Sequence, residues 1–140
     1  NMLLFIVYQG FYLGAVLSLF GLDIFFIALL VGIISFLFLE TINYIEHYGL
    51  KRKKINGKYE KVQNIHSWNS DHVVGRIVLY ELTRHSDHHF RASKKYQVLE
   101  SLENSPTMPF GYPASMLLAL LPPLWYSIMH PKLNVTDQEL

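Results

Sequence analysis

The stretch MLLFIVYQGFYLGAVLSLFGLDIFFIALLVGIISFLFLETINY, residues 2–44, decides the fold of this chain. No charged side chain occurs from Asn1 to Leu22 or from Ile24 to Leu39. Each of the two runs, 2–22 and 24–44, approaches the roughly 20 apolar residues an α-helix needs to cross a bilayer. Only Gly21, Leu22 and Asp23 separate them, so the spacing predicts a transmembrane helical hairpin. A cleaved signal peptide is disfavoured, because no basic region precedes the first run and a second follows at once. Gly10 and Gly14 form a G-x-x-x-G that permits close helix approach, read here as ordinary packing.

Outward from the hairpin, the rest of the 140 residues is wet on one side. Half of the chain is apolar, and its mean hydropathy of +0.19 is high for so short a sequence. The net charge of +1 conceals the basic block Lys51, Arg52, Lys53 and Lys54 directly after the second run. Excess Lys/Arg beside a span marks the cytoplasmic side, so Asp23 is expected to face outward and His47 inward. Asn56 and Gly57 then predict a turn or short hairpin. A helix over 70–97 follows, with Ser70 or Asp71 as its cap. All six prolines lie between Pro106 and Pro131. Pro122 and Pro123 interrupt the last apolar run, so 112–129 is expected to be bent or interfacial.

Cysteine is absent, which removes disulfides, thiolate metal sites and cysteine nucleophiles together. Any metal must be held by nitrogen and oxygen. "RHSDHH", residues 84–89, carries three of the seven histidines. On a helix His85, His88 and His89 stand at i, i+3 and i+4, so their imidazoles share one face. Val74, Val78 and Glu81 extend that face backwards. Asp87 falls on the other side, within reach of Arg84 and Arg91, and is read as a surface ion pair rather than a hydrogen-bond partner for an imidazole. Glu40, Asn43, Tyr44 and His47 make a second polar stripe near the end of the second span. A carboxylate so deep is expected to face a protein interior or a watery cavity. The polar segment 51–69 carries no further crossing, so both ligand-bearing helices open on the same side. Imidazole suits zinc, copper, iron and nickel, and ligand type alone does not select among them. A zincin is excluded because Ser86 stands where H-E-x-x-H needs its glutamate.

Two motifs carry a resemblance. Asn43-Tyr44-Ile45-Glu46-His47-Tyr48-Gly49 reads N-Y-x-E-H-Y-G, and Leu82-Thr83-Arg84-His85-Ser86-Asp87-His88-His89 is similar to the L-Q-R-H-S-D-H-H box, with Thr83 in place of glutamine. Both resemble signatures of the membrane alkane hydroxylases, as do His66-Ser67-Trp68-Asn69-Ser70, Lys95-Tyr96-Gln97, Gly111-Tyr112-Pro113 and Pro122-Pro123-Leu124-Trp125. The resemblance implies an all-α membrane protein with a histidine-rich non-haem di-iron site that hydroxylates the terminal carbon of alkanes. His47, His85, His88 and His89 would be iron ligands, with Glu46 orienting an imidazole. His66 and His72 are expected at the surface or behind a ligand, and His130 as an ordinary interfacial residue. Implied partners are alkane, dioxygen, membrane lipid and the electron donor rubredoxin, docked on Lys51–Lys54, Arg91, Lys94 and Lys95; no nucleic acid is expected. The implied location is the inner membrane, with the site on the cytoplasmic side.

Two further histidine boxes of that family, H-E-x-x-H-K and E-H-x-x-x-H-H, do not occur in the 140 residues. The chain is therefore expected to be the C-terminal part of a longer hydroxylase and inactive alone. The alternatives are a histidine-box desaturase or xylene-type monooxygenase, and a non-enzymatic membrane metal carrier; the N-Y-x-E-H-Y-G segment weighs against both.

Overall fold

The computed structural model describes residues 1–138, with side chains described as far as residue 133. The chain divides into two compact units, 1–40 and 41–140. Helix α1, Met2–His47, contributes to both and is broken at Gly21, where φ is 82° and ψ −178°. Glycine enters this region without the penalty a Cβ brings.

In the first unit, Gln9, Tyr12 and Leu13 line one cleft with Ala28, Leu29, Gly32, Ile33 and Phe36. The halves before and after Gly21 therefore face each other as the expected hairpin. The cleft encloses about 350 Å³. Phe36, which lines it, is exposed like Phe11 and Phe38. The space beside Gly10 and Gly14 is open, so the G-x-x-x-G makes no close helix contact among the described residues. α1 is long and apolar enough to cross a membrane, and its most hydrophobic window is not buried within the protein. Such a surface is stable only against lipid or other apolar partners, so this is an integral membrane protein of all-α class.

The second unit starts with the last turns of α1. The helix stops at Gly49, whose φ of 72° favours a residue without Cβ, and a Cβ there would also collide with Leu133. Strands β1 (Lys54–Ile55) and β2 (Lys58–Tyr59) pair antiparallel. Asn56 and Gly57 between them both have positive φ, the conformation an Asn-Gly hairpin turn requires. A 3₁₀ turn, Asn64–His66, leads into the buried run His66 to Ser70.

The expected single helix over 70–97 is two short ones, α2 (Val73–Val78) and α3 (His85–Phe90). Tyr80 and Glu81 have φ of 51° and 64°, and the Glu81 N–H closes back on the Arg76 carbonyl at 2.8 Å. This wrap reverses the chain, and the Ser70 N–H then reaches the Thr83 carbonyl at 2.9 Å. Tertiary hydrogen bonding thus overrides helix periodicity here. Asp71 caps nothing: His72 holds the position before α2, and Asp71 bonds Arg84 and Ser101 instead.

Helices α4 (Tyr112–Ala119) and α5 (Pro122–Gln138) meet at Leu120 and Leu121. The chain bends where Pro122 and Pro123 begin the next helix, because proline suits a first turn and not a helix interior. The core of the unit gathers Ile45, Trp68, Met108, Tyr112, Trp125 and Met129. It joins the end of α1 to the 66–70 segment and to α4 and α5, and the candidate site lies along this join.

Candidate metal centre

His47 ends α1, and α3 presents His85, His88 and His89 from consecutive turns. Because α3 is long enough to contain all three, their i, i+3, i+4 relation survives the break upstream. His47, His85 and His89 each offer a ring nitrogen, and these nitrogens lie within 4.8 Å of one another. The rings of His85 and His89 are 4.3 Å apart by centroid, and that of His47 is 5.2 and 4.9 Å from them. His88 is offset, at 5.9 Å from His85 and 5.8 Å from His89.

The protonation pattern suits a cation. His47 Nδ1 lies 3.4 Å from the His66 carbonyl, which selects the Nδ1–H tautomer and leaves Nε2 as a lone pair. Nε2 of His47 and of His85 stand 3.3 Å apart. Ligands about 2.1 Å from one ion are separated by about 3.0–3.4 Å, so the spacing fits two nitrogens of one site. Burial holds the His85 imidazole down to about 3, aided by His89, His47 and His88; His89 is lowered for the same reasons. These rings are neutral at pH 7, the form that binds metal.

Three residues brace the centre. The Trp68 N–H bonds the Glu46 carbonyl at 2.7 Å and its indole N–H bonds the Tyr48 carbonyl at 2.8 Å, tying the 66–70 segment to the end of α1. The Ser86 hydroxyl donates to the Ser67 carbonyl at 2.8 Å and ties α3 to the same segment. His66 is buried, with Glu60 3.2 Å from Nε2 and the Gln63 N–H donated to Nδ1. It supports His47 through its carbonyl. His72 is exposed beside Gly111, where a Cβ would approach it to 3.2 Å. His130 accepts or donates a 2.8 Å bond with the Tyr48 hydroxyl and stacks on Tyr126.

The carboxylates distribute differently from their helical stripes. In α1 the buried face runs through Ile45 and Glu46, so Glu46 enters the histidine group: Oε2 is 3.2 Å from His85 Nε2, and the Tyr112 hydroxyl donates to Oε1 at 2.7 Å. Glu40 and Asn43 are exposed, and Tyr44 packs against Tyr48 and Trp125 rather than the imidazoles. Glu81, expected on the imidazole face, is taken by Arg76 and Arg84 at 2.8 and 3.5 Å because the wrap at 80–81 turns it away. Val74 and Val78 are likewise exposed.

Asp87 is no surface group. It is buried and binds Lys94 at 2.6 Å and the Glu100 N–H at 2.9 Å. Burial alone would raise its carboxyl; these two bonds outweigh it and hold the group below its ordinary value. The reason is the 91–100 segment, which folds back over α3 and covers the face that periodicity assigns to solvent. Lys94→Met, which leaves that carboxylate without its cation, is expected to cost about 1.5–3 kcal/mol, read as a lowered unfolding midpoint. An unchanged midpoint would show the pair to be incidental.

Tyr112 enters the sequence reading only as part of Gly111-Tyr112-Pro113, with no place at the site. It lies 66 positions from Glu46 and carries no ligand chemistry of its own. Burial first, then the Glu46 carboxylate, push its phenol far above the ordinary value, so it stays a donor.

Comparison with known families places the chain among described relatives. The fatty acid desaturase family profile matches residues 1–118. The chain belongs to the fatty acid desaturase family. Within related proteins it is 53% identical to alkane 1-monooxygenase 1 of Pseudomonas aeruginosa over 97 residues, 69% of this chain and 25% of that protein. Alkane 1-monooxygenase 2 of Alcanivorax borkumensis is 50% identical over 97 residues, again 69% and 25%. The xylene/toluene monooxygenase hydroxylase component of Pseudomonas putida is 33% identical over 100 residues, 71% and 26%. The resemblance read from the two motifs is thereby borne out. The chain spans about a quarter of the length of these relatives.

Proposed function

We propose that this chain supplies part of the iron centre of a membrane monooxygenase that hydroxylates the terminal carbon of alkanes, using dioxygen and electrons from rubredoxin. The observation that carries the reading is the convergence of His47, His85 and His89 within 4.8 Å, in a chain about half identical to alkane 1-monooxygenases over two thirds of its length. His47, His85 and His89 would hold one ion. His88, on the neighbouring turn, would serve the second iron of a complete site together with ligands from outside this segment. Bound iron supplies the redox chemistry that an unactivated C–H bond demands.

The chain's own residues do the remainder. The His66 carbonyl keeps the lone pair of His47 directed into the group, and Ser86 and Trp68 hold the two ligand-bearing elements together. An alkane has no polar handle, so affinity must come from burying methylenes, about 0.8 kcal/mol each. The site is proposed to open on the cytoplasmic side of the inner membrane. Lys51–Lys54, Arg91 and Lys95 are the basic groups proposed to meet rubredoxin; Lys94 is committed to Asp87 and Glu100 and is withdrawn from that set.

The test is turnover of octane by the full-length enzyme in membranes, with rubredoxin, its reductase and ¹⁸O₂. One labelled oxygen in 1-octanol is expected, and no turnover from the 140-residue chain alone. Desaturation of an acyl chain without oxygen incorporation would instead favour a desaturase.

A further inference from the structure

Glu46 is a carboxyl group with 4% exposure, and its Oε2 lies 3.2 Å from His85 Nε2. A buried carboxylate without a cation is unfavourable. Glu46 Oε2, His85 Nε2 and His47 Nε2 follow one another at 3.2 and 3.3 Å along one edge. A cation there would face an oxygen as well as the imidazoles.

What holds that oxygen in place comes from the opposite end of the unit. Tyr112 begins α4 and donates to Oε1 at 2.7 Å, with both partners buried. Its ring is 1% exposed and packed in the cluster with Ile45, Trp68 and Met108. The phenol therefore has little freedom to follow the carboxylate if the carboxylate turns.

We propose that Tyr112 is a positioning residue of the metal centre: by engaging Oε1 of Glu46 it keeps Oε2 against His85, so that a fixed negative charge borders the bound cation. The inference rests on the iron-centre reading above. It assigns Tyr112 a task beyond core packing, which its ring alone performs within the cluster around Trp68 and Met108.

The experiment uses the full-length enzyme loaded with ⁵⁷Fe, as wild type, Tyr112→Phe, Glu46→Gln and the double variant. Iron retention against a chelator and the Mössbauer spectrum are read beside the unfolding temperature of the metal-free forms. Each single variant is expected to lose about 10- to 100-fold in iron affinity and to change the quadrupole splitting. The double variant is expected to be no worse than the more affected single one, because Tyr112 acts through Glu46. A wild-type affinity and spectrum in Tyr112→Phe, or losses that multiply in the double variant, would overturn the assignment. Should Tyr112→Phe fail to fold, Glu46→Gln decides: it keeps an oxygen for the phenol to donate to and removes only the charge, and an unchanged spectrum there is equally fatal. Wild-type enzyme that retains no iron would instead remove the iron-centre reading on which this one stands.

Discussion

His85→Ala is expected to abolish iron retention and hydroxylation in the full-length enzyme. Loss of a group that merely orients a ligand costs about 10- to 100-fold in metal affinity, and loss of the ligand itself should exceed that. Of the four imidazoles, His85 is the one touching every other element of the group: 3.3 Å from His47, 3.2 Å from Glu46 and 4.3 Å by centroid from His89. His130→Ala is the control. That ring bonds Tyr48 and stacks on Tyr126, so its loss should lower stability and leave iron content near that of wild type. Equal iron content in His85→Ala and wild type, measured by elemental analysis after gel filtration, would exclude His85 as a ligand.

His85 should make a destabilising contribution in acid to the metal-free protein between pH 6.5 and about 3. In the folded state burial and the neighbouring imidazoles bring His85 down to about 3, against 6.5 when exposed. Within that window the unfolded chain takes up a proton that the folded one refuses. The contribution is therefore fully present above pH 6.5, declines as pH falls, and is lost at the folded value. The span corresponds to about 4–5 kcal/mol for His85, with His89 adding in the same direction. Glu46, which burial raises to about 7, takes up a proton more readily in the folded state between pH 7 and 4.5 and opposes this, so the His85 contribution is read as a difference between wild type and His85→Gln. Unfolding midpoints of the metal-free forms, followed by circular dichroism from pH 7 to pH 4, should fall more in wild type than in His85→Gln; parallel curves would place the acid sensitivity elsewhere. A bound cation competes for the same lone pairs, so acid should also release iron.

The hairpin of the first unit was legible because its signals are local. Apolar runs of bilayer length, a glycine between them, and Asn56-Gly57 between short strands each carry their meaning within a few residues. The α3 histidines belong to the same class, since i, i+3 and i+4 fall within six residues whether the helix is long or short. The continuous helix over 70–97 failed because the bond from Ser70 to the Thr83 carbonyl requires a chain reversal that no periodicity announces. Asp87 was misplaced for a related reason: the segment that covers it lies later in the chain and supplies Lys94 and the Glu100 N–H.

By itself, the sequence determined that this is a membrane-embedded helical protein with clustered histidines and no cysteine. Composition and short spacings settle such matters before any long-range contact forms. Only the tertiary structure decided which polar groups share a site. It brought Glu46 to His85 and Tyr112 to Glu46, and sent Tyr44 and Glu81 to other partners. Those choices depend on which helix face the core buries, a property of the packed elements together that no single stretch of residues contains.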